Sequence, residues 1–385
     1  MKRALAAIAF IAAAAGLAGC GGKSERHVSP RLGVRLQHVL DRAVASPRTG
    51  FPGTALYVSR PDLGTWSGAA GEADVERATP MRPDDRFRAG SIMKPFIATV
   101  VLQLVEEGRI ALDDPLPAVL LHDVVARVVD GDRITVRMLL DHTSGIPEYS
   151  DEALDRVVLT DPHRIWNVSE FLDRAAARPR PFEPGKGYSY SNTDYNLLGL
   201  VIEQATGDSW RAAVRERILD RLGLKHTSLP EPGDTSMGHD AAHGYEVVNG
   251  KLRDLSDVDP SMADAAGGSA LVTTTRDLSR FLDALLGGKL FEKPATLASM
   301  LTFVEATNDS GLPLGYGLGL ERYTLPGGVE VIGHFGTGPG YRAFVGYAPA
   351  EKIDIAIAFN AGRYVPADPT PVIMRAFEVM ATAAT

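Results

Sequence analysis

The chain has 385 residues, of which 45% are hydrophobic and 23% are charged, and it contains 39 glycines, 25 prolines and one cysteine. This composition excludes intrinsic disorder, collagen and coiled coil, and a single cysteine excludes a disulfide-stabilised scaffold. The formal net charge of -8 repels phosphate backbones, so we expect no nucleic-acid partner. At ~150 residues per domain, the length predicts about two lobes.

The N-terminal residues have the features of an export signal. Two basic residues precede an apolar stretch over 4–15, which is shorter than the ~20 residues of a spanning helix. The motif Leu17-Ala18-Gly19-Cys20 that follows resembles a bacterial lipobox, in which the cysteine is lipidated and becomes the first mature residue. The resemblance predicts a signal peptide over 1–19, lipidation at Cys20 and a tether over 20–33. An ordinary leader with a chance cysteine is the alternative.

These features predict an exported protein, anchored by lipid to a bacterial membrane and facing the periplasm or the cell exterior. The globular domain is then expected over residues 34–382. Its first elements are an amphipathic helix over 32–45, from the helical spacing of apolar residues, and two strands over 53–60 and 65–71 around a turn.

A helical middle and a strand-rich end follow. Helical apolar spacing is found over 95–108, 135–140, 168–177, 193–207 and 209–222. Strands are predicted over 329–335, 341–348 and 353–360, before a closing helix over 371–382. The expected fold class is α/β, in its α+β form. An antiparallel sheet forms from both chain ends, helices flank it, and a mostly helical lobe is inserted at about residues 100–265.

Ser91 and Lys94 open the first helix of this middle region and are the first candidates for chemistry. Residues three apart share a helical face, so the amine reaches the hydroxyl. The free N–H groups at a helix N-terminus favour developing negative charge. The pair predicts a nucleophilic Ser91 that Lys94 activates, although a serine that only caps the helix fits the same pattern.

The motif Tyr190-Ser191-Asn192 precedes another predicted helix. A unit charge ~4 Å from a tyrosine, at an effective dielectric of ~20, is worth ~4 kcal/mol or roughly three pKa units. A lysine cation at that distance therefore predicts that Tyr190 is a tyrosinate and a general base. A turn with a core tyrosine and a capping asparagine is the alternative.

The motif His334-Phe335-Gly336 ends a predicted strand and enters a glycine-rich turn. Glycine at 336 lets a substrate lie against the strand edge. The backbone N–H of Thr337 is expected to pair with that of Ser91 as an oxyanion hole. A histidine with a structural role is the alternative.

The order Ser91-x-x-Lys94, Tyr190-Ser191-Asn192, His334-x-Gly336 resembles the active-site triplet of the serine β-lactamase and penicillin-binding-protein superfamily. It is similar above all to the branch with Tyr-x-Asn, which includes class C β-lactamases, D-alanyl-D-alanine carboxypeptidases and related esterases. The phrases Leu112-Asp113-Asp114-Pro115-Leu116 and His142-Thr143-Ser144-Gly145 are also similar to family phrases, the second as a structural turn. The resemblance covers about residues 34–380.

The resemblance implies a mechanism that passes through an acyl-enzyme. Ser91 is then the acylated nucleophile, Lys94 and Tyr190 share proton transfer, and Asn192 hydrogen-bonds the acyl side chain or Lys94. The expected substrate-binding residues are Asn192, His334, Gly336 and Thr337. No metal or organic cofactor is implied.

Two positions depart from the family pattern. Phe335 replaces a hydroxyl residue that helps to bind a substrate carboxylate, and His334 would supply only a pH-dependent positive charge there. Residues Glu321 and Arg322 alternate in direction along their strand. If Arg322 faces the cleft it replaces the lost carboxylate contact, whereas Glu321 in that place would repel acids; the sequence leaves this open.

Three hypotheses for function follow. The leading one is a DD-carboxypeptidase-like serine hydrolase of D-Ala-D-Ala-type cell-wall peptides. The second is an esterase or weak β-lactamase on the same fold, and the third, of another class, is a non-catalytic binding protein. The expected partners are a peptide, ester or β-lactam substrate and a membrane, reached through the lipid anchor.

Overall fold

A computed structural model describes residues 26–45, 50–306 and 314–383. The strands in these residues are β1 (Gly53–Arg60), β2 (Gly64–Asp74), β3 (Thr79–Pro80), β4 (Phe87–Arg88), β5 (Tyr245–Val248), β6 (Lys251–Asp254), β7 (Val272–Thr273), β8 (Val304–Ala306), β9 (Leu314–Tyr316), β10 (Glu321–Thr324), β11 (Glu330–Gly338), β12 (Tyr341–Ala348) and β13 (Ile353–Phe359). Nine of them form one antiparallel sheet in the order β3-β2-β1-β13-β12-β11-β10-β9-β8.

The centre of this sheet joins the two ends of the chain. β1 pairs with β13, with Thr54 opposite Phe359 and Ser59 opposite Asp354. β13 reads Ile-Asp-Ile-Ala-Ile-Ala-Phe and is buried along its whole length, as expected of a strand that helices cover on both faces. The predicted fold class, an antiparallel sheet built from both chain ends with flanking helices, is confirmed.

The helices pack on both faces of the sheet, and most of them come in the chain between its N-terminal strands and its C-terminal strands. They are α1 (Pro30–Val44), α2 (Met93–Glu106), α3 (Leu116–Val119), α4 (His122–Val125), α5 (Val136–Leu140), α6 (Glu152–Thr160), α7 (Val168–Ala176), α8 (Asn192–Thr206), α9 (Trp210–Val214), α10 (Thr275–Leu286), α11 (Pro294–Met300) and α12 (Thr370–Ala381). Among the described residues, no helix has both the length and the apolar character that crossing a membrane requires.

Two large hydrophobic cores among the described residues follow from this arrangement. α1 and α12 cover one face of the sheet with side chains such as Leu36 and Phe377. α2, α8 and α10 belong to the second core, on the side of the helical lobe, where Phe96 of α2 stacks on Phe281 of α10 at a ring distance of 3.6 Å. α2 is buried over almost its full length, so the residues at its N-terminus are held rigidly.

The N-terminal boundary differs from the prediction. α1 begins at Pro30 behind the capping residue Ser29, and His27 already bridges to Thr65 of β2. The second half of the predicted tether over 20–33 is therefore part of the fold, because the pairing with β2 orders it. Cys20 and the predicted signal peptide over 1–19 lie outside the described residues.

The remaining differences concern elements with weak or broken periodicity. The helix predicted over 209–222 continues from α9 into a π-helical stretch, Arg215–Asp220. The short strands β3 to β9 and the helices α3, α4, α6, α10 and α11 were not predicted, and β10 was predicted only as a strand through Glu321 and Arg322, without bounds. β9 and β10 extend the sheet beyond β11 and bring Glu321 beside the third motif.

Candidate active site

The turn before α2 places Ser91 between the helical lobe and the sheet. Gly90–Ile92 forms one 3-10 turn, and Ser91 in its middle is half-buried and lines a cleft. Gly90 has a φ of +58°, and a Cβ on it would lie 2.7 Å from backbone atoms of Thr337. Glycine is therefore required for this turn to lie so close to β11.

Lys94, one turn further along the chain, is fully buried beneath Ser91. Its Nζ lies 3.1 Å from Ser91 Oγ, 2.7 Å from Asn192 Oδ1 and 2.9 Å from the carbonyl oxygen of Ala266. Burial lowers the pKa of Lys94 from 10.5 to about 7, although nearby carboxylates, Glu148 foremost, act in the opposite direction. A large fraction of this amine is therefore neutral near pH 7.

The neutral amine has a defined orientation. The carbonyl oxygens of Asn192 and Ala266 only accept hydrogen bonds, so they take the two hydrogens of a neutral Lys94. Its lone pair then faces the Oγ of Ser91, 3.1 Å away. This geometry suits a general base that removes the serine proton.

Tyr190 is placed next to the same pair, but its protonation state differs from the prediction. Its hydroxyl lies beside that of Ser91, which acts to lower its pKa, and Lys94 Nζ lies 4.7 Å from the centre of its ring. Burial raises the pKa of Tyr190 well above 10, and Glu321 raises it further. The predicted tyrosinate is therefore wrong, because Tyr190 has lost solvent and Lys94 is a weak source of positive charge. A neutral phenol here can donate a proton.

The start of α8 fixes Asn192. Its backbone N–H donates to Glu148 Oε2 over 2.6 Å, and its side-chain oxygen accepts from Lys94. Asn192 was expected to hydrogen-bond either the acyl side chain of a substrate or Lys94, and the hydrogen bond with Lys94 is the one that the structure contains. Glu148 follows Pro147 in the segment after α5, and its second oxygen accepts from the N–H of Ser150.

The His142-Thr143-Ser144-Gly145 phrase has the structural place expected of it. His142 Nδ1 lies 3.0 Å from Asp194 Oδ2, and the Ser144 hydroxyl donates to Asp194 Oδ1 over 2.6 Å. All three side chains are buried, and none of them lines the cleft. Their network joins this turn to α8 behind Tyr190, whose ring centre is 4.4 Å from that of His142.

The third motif lies on the edge of β11 that faces Ser91. A Cβ at Gly336 would lie 1.9 Å from the carbonyl oxygen of Ala89, so this glycine lets β11 contact the turn that carries the serine. The N–H of Phe335 points away from β12 and donates to Glu321 Oε2. Because N–H groups two residues apart share a strand edge, the N–H of Thr337 faces the same side, beyond the end of β10. This agrees with the oxyanion hole expected from Thr337 and Ser91.

His334 occupies a different environment from the one predicted. Its imidazole is fully buried, with Nδ1 2.6 Å from the carbonyl oxygen of Phe335 and Nε2 3.1 Å from the hydroxyl of Tyr316. Burial lowers its pKa below 6.5. A neutral ring with the proton on Nδ1 satisfies both contacts. The prediction that His334 offers positive charge to a substrate is corrected, because the ring has neither exposure nor charge.

The direction of residues 321 and 322 is settled by their surroundings. Glu321 is 7% exposed and lines the cleft beside Phe335. Arg322 is exposed on the other face of the strand, where its guanidinium lies 4.8 Å from the ring centre of Phe303. The acidic residue therefore faces the cleft, and Arg322 does not replace a carboxylate contact.

Ser91 lies where two depressions meet. The larger is a cleft of about 670 Å³, and the smaller is a cavity of about 100 Å³. Ser91, Asn192 and Thr337 line both of them. Tyr190 and Glu321 line only the larger one, so the two sides of a bound substrate meet different surroundings. Within the described ranges no group of three or more His, Cys, Asp or Glu side chains is arranged to hold a metal ion.

Neither guanidinium of the large cleft is free. Arg342 donates to the carbonyl oxygens of Ala361 at 3.0 Å, Val365 at 3.0 Å and Ala367 at 2.5 Å, so it fastens the loop before α12. Arg363 is paired with Asp155 of α6 at 3.3 Å. Arg342 therefore serves the structure of the cleft wall, whereas the Arg363 side chain stays 59% exposed in its ion pair.

Sequence reasoning missed two partners of Lys94. Glu148 stands three residues beyond the family phrase, and a carboxylate so close to a predicted turn was the available signal. The carbonyl of Ala266 carries no side-chain signal, because any residue offers one. Its position depends on the 3-10 turn Asp264–Ala266, which contacts both α2 and α8.

The sheet, the helical lobe and the Ser91–Lys94 pair together define a serine hydrolase. The profile of the Beta-lactamase family matches residues 36–373 of the sequence. The chain belongs to this family, and the predicted membership in the superfamily of serine β-lactamases and penicillin-binding proteins is confirmed.

Relatives with several activities share this sequence pattern. The chain is 32% identical over 295 residues to esterase EstB of Burkholderia gladioli, which covers 69% of the chain and 73% of the relative. It is 30% identical over 292 residues to penicillin-binding protein 4 of Amycolatopsis lactamdurans, covering 72% and 73%.

Two solved structures are similar over almost the whole fold. A D-stereospecific amidohydrolase from Streptomyces has a TM-score of 0.79 and 36% identity, over 90% of this chain and 98% of its own. A D-amino acid amidase from Ochrobactrum anthropi, in complex with D-phenylalanine, has a TM-score of 0.78 and 28% identity, over 91% and 99%.

Proposed function

We propose that the protein hydrolyses esters and amides through an acyl-enzyme on Ser91, with substrates that have no free carboxylate on the leaving group. The observation that carries this proposal is the contact between Ser91 Oγ and a Lys94 amine whose two hydrogens are taken by fixed acceptors. This contact between a hydroxyl and an amine supports the proposal, because it offers a nucleophile and a base without any further group.

The reaction proceeds in two halves. Lys94 takes the proton of Ser91 as Oγ forms a bond to the substrate carbonyl carbon, and the N–H groups of Ser91 and Thr337 stabilise the oxyanion. The bond to the leaving group then breaks, and Tyr190 donates a proton to the departing oxygen or nitrogen, recovering one from Lys94. Water repeats the sequence on the acyl-enzyme and releases the acid.

The cleft favours neutral esters and amides over peptides with a free C-terminus. Glu321 faces the cleft, and among its described lining residues the two guanidiniums, Arg342 and Arg363, are held by carbonyl oxygens and by Asp155. A substrate carboxylate therefore meets an acidic side chain, and the one exposed guanidinium among the described lining residues, Arg363, is already paired with Asp155. The similarity to an esterase and to two amide hydrolases supports the same class of substrate.

The second candidate is a DD-carboxypeptidase that releases D-Ala from D-Ala-D-Ala-type peptides. The similarity to penicillin-binding protein 4 of Amycolatopsis lactamdurans favours it. So does the predicted export to the cell wall. Weak β-lactamase activity belongs to the same candidate chemistry.

One experiment separates these readings. The protein is incubated with p-nitrophenyl acetate, a D-amino acid amide, a D-Ala-D-Ala peptide and a penicillin in turn, and intact mass and product release are followed. We expect an adduct on Ser91 and turnover of the ester and the amide, with little D-Ala release. Faster release of D-Ala than of the other products would establish the second candidate.

Two variants complete the experiment. Ser91→Ala removes the adduct and the turnover, whereas Ser67→Ala, on β2 at a distance from β11 in the strand order, leaves both unchanged. Equal activity of Ser91→Ala and wild type, or no adduct with any substrate, would revive the binding-protein hypothesis.

We also propose that the protein is exported and held on a bacterial membrane by lipid on Cys20. The lipobox-like sequence before this cysteine supports the proposal. In a bacterial host, Cys20→Ser is expected to abolish lipid labelling and processing at this site. If Cys20→Ser and wild type were retained on the membrane and processed to the same degree, the proposal would be contradicted.

A further inference from the structure

We infer that Glu321 selects the leaving group, so that the enzyme prefers esters and amides whose leaving group carries a cationic amine and discriminates against those that carry a carboxylate. This inference rests on the proposed function and adds the class of leaving group to it. It makes Glu321 a specificity-determining residue of the cleft.

Glu321 is held in one orientation by two donors. The N–H of Phe335 donates to its Oε2 over 2.7 Å, and the hydroxyl of Tyr323 donates to the same oxygen. Among the described residues no donor is bonded to Oε1, although Glu321 is only 7% exposed and lines the cleft. One oxygen thus fixes the side chain, and the other is presented to whatever occupies the cleft.

Glu321 lies on the side of the cleft that would receive the leaving group. The proton for the leaving group has to come from a donor next to Ser91 Oγ, and Tyr190 holds that place. Tyr190, Tyr188 and Glu321 all line the large cleft, and none of them lines the small cavity. The leaving group therefore extends into the large cleft past Tyr190, and the acyl group lies toward the small cavity.

No lysine or arginine among the described residues forms an ion pair with Glu321, whose charge acts on Lys94 only from a longer distance. His334 Nδ1 lies 3.7 Å from Oε2, but its proton is directed to the carbonyl oxygen of Phe335. Arg342 is held by three carbonyl oxygens, and Arg363 by Asp155. Lys94 is turned toward Ser91 and Asn192.

The other acidic groups of the large cleft also favour a ligand cation over a ligand carboxylate. Glu148 and Asp368 also line it, so three carboxylates face two guanidiniums that are already engaged. A buried carboxylate without a cation is unfavourable, and a ligand cation supplies the missing partner. A ligand carboxylate adds like charge instead. The apolar side chains of Phe335, Phe344 and Ile373 leave room for the carbon chain that connects such a group to the scissile bond.

The test uses three acetate esters that differ in the leaving group. The alcohols are choline, which is cationic, 3,3-dimethylbutanol, its neutral isostere, and 4-hydroxybutyrate, which is anionic. In wild type we expect kcat/KM to fall in that order, with about a tenfold to thirtyfold ratio between the cationic and the neutral ester. Equal values, or a preference for the anionic ester, would overturn the inference without any variant.

Two variants assign the preference to one side chain. Glu321→Gln keeps an oxygen for the N–H of Phe335, and we expect it to bring the three kcat/KM values to within about threefold of one another. Arg322→Gln is the matched control, because it removes a charge from the next residue on the opposite face of β10 and is expected to keep the wild-type ratio. An unchanged ratio in Glu321→Gln would refute the inference.

Hydrolysis of p-nitrophenyl acetate and the mass of the Ser91 adduct are measured in every protein. If wild type shows neither hydrolysis of this ester nor the adduct, the proposed function itself is contradicted. Retention of both, together with no dependence on the charge of the leaving group, contradicts only the role of Glu321.

Discussion

The burial of Lys94 predicts that this proposed catalytic base destabilises the folded protein. Its pKa falls from 10.5 to about 7 in the fold. Since one pKa unit corresponds to about 1.4 kcal/mol, this shift costs the folded state about 5 kcal/mol well below pH 7. The folded pKa is depressed, so the cost is complete below the folded value. It declines as the pH rises toward 10.5, where the unfolded chain also loses the proton.

Lys94→Met removes this cost but also removes hydrogen bonds to two acceptors. The variant leaves Asn192 Oδ1 and the Ala266 carbonyl oxygen without their donor, which costs about 1–3 kcal/mol each and does not depend on pH. Wild type should therefore gain stability relative to the variant as the pH rises. The difference in free energy of unfolding, variant minus wild type, should fall by about 3 kcal/mol from pH 6.5 to pH 9.5. Its kcat/KM should fall by about 10²- to 10⁴-fold.

Urea denaturation at a series of pH values, followed by tryptophan fluorescence, measures this difference. Ser91→Ala is the matched control: it also lacks activity but retains Lys94, so its stability should follow the wild-type pH dependence. A difference between Lys94→Met and wild type that stays constant from pH 6.5 to 9.5 would refute the reasoning, since Lys94 would then carry the same protons in both states.

Three further predictions follow from the site and its wall. The kcat/KM for a neutral ester should rise with pH to a plateau with a midpoint near 7, because only neutral Lys94 has a lone pair for the Ser91 proton; a flat profile from pH 5.5 to 8.5 would contradict this. Arg342→Met should lower the free energy of unfolding by about 3–5 kcal/mol in urea titrations, because three buried carbonyls lose their donor; a change below about 1 kcal/mol would show that water replaces it. The nitrogen chemical shifts of His334 should report a neutral ring protonated on Nδ1 at pH 6.5, and an imidazolium at that pH would be inconsistent with its burial.

The sequence was most informative where periodicity was strong. β12 (Tyr341–Ala348) was predicted with its bounds, and α8 within one residue at each end, because regular apolar spacing sets the limits of both elements. β8 and β9 were missed, since strands of three residues carry too few alternations to be recognised.

The sequence predicted which residues belong to the candidate site, but it did not predict their protonation states. The spacing of Ser91 and Lys94 indicated the pair, and the structure brings Asn192 and Tyr190 to it. Whether a tyrosine is ionised, or a histidine is charged, depends on how much solvent reaches it and on which residues from distant elements surround it. That information is absent from spacing, so the predictions of a tyrosinate and of a pH-dependent positive charge that His334 offers to a substrate were both wrong.

The central pairing of β1 with β13 has a consequence for how the protein is made. Gly53 and Asn360, which hydrogen-bond beside this pair, are 307 positions apart in the chain. Contacts between residues so far apart form late in folding, whereas the helices between them are built from local contacts. Ser91 precedes most of those helices, yet Thr337, its proposed partner in the oxyanion hole, is on β11 and joins the fold with the last strands. A nascent or truncated chain thus carries its nucleophile without the means to use it, and hydrolytic activity reports that the whole molecule has folded.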